Sequence, residues 1–236
     1  MMKKKFFALI CVFIGGSLGA SDTLFFDVNL LGVRVAGVEI TENKLADGVV
    51  EIVYHAFTRG AFDKIYDTDN WYHYYTSPGA EALDSLKKYI HQDDFEQYYA
   101  EYYEDGVIRY STGQVNPAPA PVHHILSFLV YLQDNLSVPE RDGEYPCLIS
   151  DEGELLRPSL RVEENTDKDQ KEVYFSFRKI AGKEVLEPTD VFNWMVCAGN
   201  GERMLAYSNS DNTITEGRFS IGWGLRLRAK RVRSEK

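Results

Sequence analysis

Short runs of β-branched and aromatic residues, broken by polar turns, recur along almost the whole chain, and this rhythm leaves few folds open. "LFFDVNLL", "VRVAGVEITE", "VVEIVYHAFTR" and "AFDKIYDTDNWYHYYT" begin the series. "EYPCLI", "ELLRPSLRVEE", "KEVYFSFRKI", "DVFNWMVCA", "ERMLAYSN", "TEGRFSIGW" and "LRLRAKRV" complete it. Runs of this length and composition read as strands, and the Asp, Asn, Gly and Ser clusters between them read as turns. Within the second run Val33 and Val35 share one face, whereas Val38 and Ile40 follow the opposite phase. A phase slip at Ala36-Gly37 predicts a bulge there, and bulged strands curl a sheet.

One segment breaks the rhythm. After the proline-rich connector "NPAPAP" (Asn116 to Pro121) comes "VHHILSFLVYLQDN", in which Ile125, Leu129 and Leu132 form a stripe flanked by Leu126, Phe128 and Val130. Apolar residues around so much of a helix predict burial, with the helix beginning near Val122. Ala82, Leu83, Leu86, Tyr89 and Ile90 also recur at helical spacing, so a short second helix fits Glu81 to His91. Residues 93–104 fit either a helix or a strand, and the Asp105-Gly106 turn before Val107 favours a strand pair. The resulting expectation is a mainly β protein: an antiparallel β-barrel or strongly curled sheet, with one buried helix and the short second one.

The first twenty residues stand apart. Lys3, Lys4 and Lys5 precede an apolar run from Phe6 to Ile14, then Gly15, Gly16, Ser17, Gly19 and Ala20. This is the secretory signal pattern, too short to span a bilayer, and cleavage is expected after Gly19 to Ser21. It leaves a single domain over residues 21–236, in the periplasm or cell envelope, with no later segment of membrane-helix length. Cys11 follows bulky Ile10, which argues against lipid modification. Gly15-Gly16-Ser17-Leu18-Gly19 matches a nucleophile elbow in letters only, because a leader lacks the strand-to-helix setting.

The chain carries 26 basic and 36 acidic residues, a net charge of −10 that falls to about −13 once Lys3 to Lys5 are lost. Such a surface repels phosphate backbones and excludes nucleic acid as a general partner. The basic ending does not change this: in "LRLRAKRV" Arg226, Arg228 and Lys230 alternate with Leu225, Leu227 and Ala229. That is the wet face of an ordinary strand. Cys147 and Cys197 can bridge in an oxidising compartment or remain two buried thiols.

Chemistry is sparse. His55, His73, His91, His123 and His124 lack metal-ligand spacing, and adjacent His123-His124 point apart on a helix, so no metal and no cofactor is expected. Gly199-Asn200-Gly201 and Gly222-Trp223-Gly224 lack the third glycine of a nucleotide loop. No mature serine or cysteine sits in a catalytic signature, so no catalytic residue is assigned and no enzyme is expected. Trp71, Tyr72, Tyr74 and Tyr75, with Tyr89, Tyr98, Tyr99, Tyr102 and Tyr103, form an aromatic cluster suited to a pocket mouth or an interface. Cross-strand pairs that merely stabilise an exposed sheet are the favoured explanation.

The order of elements carries a resemblance. Leu31-Gly32 through Ala36-Gly37, the apolar helix after the proline connector, and "MLAYSNSDNTITEGRFSIGWGLRLRA" resemble the exported bacterial family called domain of unknown function 3108. The tyrosine-heavy stretch from Glu81 to Glu104 departs from it, being longer and more helical than its pattern. The resemblance implies a β-rich periplasmic fold and brings no catalytic residues. The leading expectation is non-enzymatic binding of an apolar, lipid-like or amphipathic ligand, with Trp71, Tyr72, Tyr74, Phe128 and Leu129 as candidate contacts. The alternative is an envelope protein-interaction module using the tyrosine-rich acidic surface.

Overall fold

The structure, a computed structural model, describes residues 23–78, 82–119, 121–135, 143–185, 203–220 and 226–232, together with Asp190 and Val196. The expected leader, Cys197, and the Gly-Asn-Gly and Gly-Trp-Gly turns lie outside the described residues.

Among the described residues, sixteen strands form one sheet built from two meanders. The first comprises β1 (Thr23–Leu30), β2 (Val33–Lys44), β3 (Val50–Thr58), β4 (Asp69–Thr76), β5 (Ser85–Gln92), β6 (Phe95–Glu104), β7 (Val107–Tyr110) and β8 (Val115–Pro117). After β9 (Val122–His124), the helix α1 (Ile125–Asn135) and the short β10 (Gly143–Glu144), the second meander follows. It comprises β11 (Leu148–Asp151), β12 (Glu154–Asn165), β13 (Gln170–Gly182), β14 (Arg203–Ser208), β15 (Ile214–Ser220) and β16 (Arg226–Val232). The meanders join where β1 pairs antiparallel with β16, from Phe25 opposite Val232 to Leu30 opposite Leu227. β9 runs parallel to β11, and β10 pairs with β12.

The sheet curls without closing. Its outer strands β8 and β9 share no ladder among the described residues, yet each bonds to the opposite meander. Leu83 N–H donates to the Val122 carbonyl at 3.0 Å, and the Asn116 amide donates to the Gly153 carbonyl at 2.9 Å. The β-rich expectation therefore holds, in its curled-sheet form.

Two-residue turns set the registers. Leu31 and Gly32 both have positive φ (51° and 84°), as do Asp105 and Gly106 (51° and 74°). Paired left-handed residues match the twist of adjacent strands. The Asp105-Gly106 turn joins β6 to β7, as its spacing predicts. The bulge falls two residues before Gly37: Val28 faces Ala36 and Asn29 faces Arg34, so Val35 is the extra residue. Gly37 itself pairs regularly with Asp27 and Phe57. It is glycine for space, since a Cβ there would lie 2.7 Å from Arg59 Nε and 2.9 Å from Phe57 Cζ.

Helix α1 is buried inside the curl, as expected, but it begins at Ile125. Val122–His124 form strand β9 instead. Its hold on the sheet is polar as well as apolar. Tyr54 Oη from β3 donates to the Leu126 carbonyl (2.8 Å), and Tyr207 Oη from β14 donates to the Leu129 carbonyl (3.0 Å). One tyrosine from each meander thus fixes the helix between them.

The expected second helix does not form, and Ser85–Gln92 is strand β5. Leu86, Lys88, Ile90 and Gln92 point inward while Ser85, Lys87, Tyr89 and His91 point outward. Helical spacing of the apolar residues misleads here because Lys88 takes an inward position that a polar residue normally vacates. With β6 beside it, the tyrosine-heavy stretch is sheet rather than helix. The last strand behaves as its pattern predicts: in β16 Leu227 is buried and Arg226, Arg228 and Lys230 are exposed. It is nevertheless an interior strand of the sheet, between β1 and β15.

Candidate functional site

The interior holds two dissimilar regions. The first is an apolar chamber. Phe26, Ile40 and Tyr54 from β1 to β3 face Leu205, Phe219 and Leu227 from β14 to β16, with Leu126 and Leu129 of the helix between them. These positions are the inward half of each strand's alternation. They line a partly open cavity of about 110 Å³. That is smaller than the roughly 150 Å³ of an engineered apolar cavity that admits benzene. The chamber therefore matches one small ring or a few carbons of a chain.

Beside it lies a wider groove of about 570 Å³, mixed in character, where Ile40 lines both spaces. Glu42 and Lys44 from β2, Gln133 from α1, and Asp211, Thr213 and Arg231 rim it. Arg231 donates to Thr213 Oγ1 at 2.7 Å, and Thr213 donates through its backbone N–H and its hydroxyl to Asp211. These bonds hold the Asp211 carboxyl below its usual range. The rim thus carries two cations and two anions with hydrogen-bonding groups between them.

The second interior region is a buried polar network. Lys88, 1% exposed at its side chain, places Nζ 2.7 Å from Glu152 Oε1 and 3.3 Å from Asp190 Oδ2. Tyr72 Oη donates to the other Asp190 oxygen at 2.7 Å, and the Asn70 amide donates to Tyr72 Oη at 3.2 Å. Nearby, Glu101 accepts hydrogen bonds from Tyr99 and Tyr103. Tyr74 Oη meets His124 Nδ1 at 2.9 Å.

Electrostatics follow from burial. Desolvation opposes charge on Lys88, but Glu152 and Asp190 outweigh it and lift the ammonium above its ordinary value. Burial raises Glu152 and Glu101, against the pull of Lys88 and of the tyrosine hydroxyls respectively. Burial, helped by the Lys88 charge, pushes His124 well below 6.5, so its imidazole is neutral. Cys147 is free and buried, its thiol pushed up to about 12 by desolvation.

The five residues singled out from sequence do not converge. Trp71 lies on the outer face, 37% exposed. Tyr72 and Tyr74, at the opposite phase of β4, are buried in the polar network. Phe128 is fully buried and edge-on to Tyr145, with ring centroids 5.6 Å apart. Of the five, only Leu129 lines the chamber. The remaining chamber residues carried a legible signal, their alternation, but nothing local marks which of many inward residues border a void. Lys88 carried no signal at all.

Outside, the aromatic cluster is largely self-stacked. Trp71 lies on His55 at 3.8 Å and 12° between ring planes, Tyr89 meets Tyr98 at 5.0 Å, and His73 meets Tyr89 edge-on at 5.9 Å. Carboxylates hold the histidines: His55 Nε2 is 2.7 Å from Asp69, and His73 Nδ1 is 3.0 Å from Glu51. Ring faces engaged with one another are poor platforms for a sugar or a base. No helix among the described residues is long and apolar enough to cross a membrane, which leaves strands unaddressed.

Fold and interior together define a β-barrel-like domain plugged by one helix. Neither family models nor curated proteins give a match to the chain. Among solved structures it is similar to a β-barrel-like protein of Domain of Unknown Function DUF1849 from Brucella abortus. That likeness has a TM-score of 0.54 at 9% identity and covers 90% of this chain and 96% of the other. At such identity the likeness is one of fold. It supports a barrel-like domain of the unknown-function kind, and it does not support the finer resemblance to domain of unknown function 3108.

Proposed function

We propose that this chain is an exported envelope protein that binds, without catalysis, the small apolar end of an amphipathic molecule. The supporting observation is the chamber between α1 and the inner sheet face, with a polar groove beside it. Apolar walls favour a hydrocarbon group, and the balanced charges of Glu42, Lys44, Asp211 and Arg231 suit a polar head outside. The volume narrows the choice of ligand: a full lipid tail does not fit unless α1 shifts, whereas a short alkyl chain or one ring does.

Calorimetric titration with alkyl amphiphiles of increasing chain length tests this reading. Saturable one-to-one binding is expected, strongest for short chains and abolished by Leu205→Trp, which fills the chamber. Absence of binding across the series, or binding indifferent to the filled chamber, overturns it. Export is tested separately: the N-terminus of envelope-fraction protein should fall between Ala20 and Asp22.

The alternative, an interaction module, rests on Tyr89, Tyr98 and Tyr102, which stand between 44% and 51% exposed on the outer face. Tyr89 and Tyr98 pack tilted ring against ring at 5.0 Å, which favours a scaffold role for that face. Loss of a co-purifying envelope protein on Tyr98→Ser, with amphiphile binding absent, would exchange the two readings.

A further inference from the structure

The polar network contains a constellation that the binding reading does not use. Lys88 Nζ, Glu152 Oε1 and Asp190 Oδ2 meet in a space from which water is excluded, the three side chains being 1%, 6% and 1% exposed. One cation facing two carboxylates leaves an excess negative charge in a low-dielectric interior, which is an expensive way to hold a sheet together. Glu152 is further constrained, for it occupies the turn between β11 and β12 at φ 49°, left-handed for a non-glycine residue. With Gly153 (φ 102°) it forms the same paired left-handed turn as Leu31-Gly32 and Asp105-Gly106, which fixes where its carboxyl lies.

We propose that Lys88 and Asp190 are the precursors of an internal amide cross-link, formed by condensation in the folded protein with Glu152 as proton carrier. The geometry supplies each part. Glu152 Oε1, 2.7 Å from Nζ, takes one proton from the ammonium and frees the nitrogen lone pair. The amine attacks the carboxyl carbon of Asp190, one bond from the oxygen that lies 3.3 Å away. Charge develops on the other carboxyl oxygen, where Tyr72 Oη already donates at 2.7 Å. As the adduct collapses, the carbon–Oδ2 bond breaks. That oxygen leaves as water with two protons, one returned by Glu152 and one lost from the nitrogen.

The balance closes without an outside reactant. An ammonium and a carboxylate become one neutral amide and one water, and Glu152 ends as it began. The cross-link removes the buried cation and one buried anion together, and burial already raises the Glu152 carboxyl towards its neutral form. Proximity in a dry site is what makes such a condensation competitive with hydrolysis. The bond would staple β5 to the connection between β13 and β14, closing residues 102 apart in sequence.

Intact-mass spectrometry of the purified mature protein tests the proposal. The chain is expected to be lighter than its sequence by one water, with proteolysis yielding a branched peptide that joins the Lys88 and Asp190 segments. Under denaturing electrophoresis it should migrate ahead of Lys88→Arg. Glu152→Gln should have the full mass and no branched peptide. Asp190→Asn keeps the proposal testable if Glu152→Gln fails to fold, since it should give the same branched peptide with loss of ammonia in place of water. A wild-type chain at full mass overturns the proposal. So does a water loss that maps to the Asp105-Gly106 turn, or a branched peptide that persists in Lys88→Arg.

Discussion

Beside α1, strands β1 to β3 and β14 to β16 present Phe26, Ile40, Leu205, Phe219 and Leu227 to a small void. Elsewhere in the same interior, β4 to β6 and the β11–β12 turn present Tyr72, Lys88, Glu101 and Glu152 to one another. The first region is held by dispersion and by apolar area removed from water, and it tolerates incomplete packing at the cost of a cavity. The second depends on every polar group finding its partner, since a buried charge left alone costs far more than a missing methylene. A sheet that curls onto a helix can thus carry a compliant side and a stringent side. Compliance is what a binding chamber needs, whereas stringency fixes where β5 and the β11–β12 turn lie.

This contrast predicts a ranking of mutational effects. The largest is expected for Lys88→Met, which leaves the Glu152 and Asp190 carboxyls buried side by side with neither a cation nor a cross-link to Lys88. A loss of about 3–5 kcal/mol in urea unfolding is expected. A loss below about 1 kcal/mol would show that the network is no more stringent than the chamber. Leu129→Ala should cost about 3 kcal/mol by enlarging the chamber while leaving the fold intact. It should also shift amphiphile preference towards longer chains, an effect that Lys88→Met should lack.

A smaller effect separates the regions by pH. His124 titrates well below 6.5 when folded, because burial and then the Lys88 charge disfavour its protonated form. The unfolded chain takes up this proton below about pH 6.5 and the folded chain does not. Stability from this group is therefore full above that pH and is lost as the pH falls below it, by up to about 1.4 kcal/mol per unit. Glu101 and Glu152 act in the opposite sense, since their raised values favour the protonated folded state as the pH drops towards the carboxylate range. Comparing wild type with His124→Gln at pH 7 and pH 5 cancels the carboxylate contribution. The variant should lose less stability over that interval; equal losses would place His124 outside the linkage.

The smallest effect belongs to the outer face, which serves as the exposed control. Trp71→Ala removes one stacked ring above His55 and should cost about 0.5–1 kcal/mol without altering amphiphile binding. A larger loss in chemical denaturation would mean that the self-stacked cluster contributes more to the sheet than its exposure suggests.

Strand periodicity, turn chemistry and the one apolar helix are local properties, legible from residues close together in the chain. Alternation in "LRLRAKRV" placed Leu227 inside and Arg228 outside before any neighbour was known, and Asp105-Gly106 marked its hairpin. The phase slip in β2 was legible to within two residues, because bulge and glycine answer different needs: Val35 is the extra residue and Gly37 makes room for Arg59 and Phe57. Partners distant in sequence left no such local mark. Nothing in the chain announces that β1 lies against β16, that Tyr54 and Tyr207 grip α1 from opposite meanders, or that the void falls where Leu129 meets Leu205. The clearest case is Lys88. Its charge makes an inward position unfavourable on any local scale, so the pattern over Glu81 to His91 points to a helix. Glu152 and Asp190, far along the chain, reverse that preference by supplying the two carboxylates that make a buried ammonium tolerable. Local patterns fix which residues can face inward; the energy of a buried charge is set by whichever groups the fold brings to meet it.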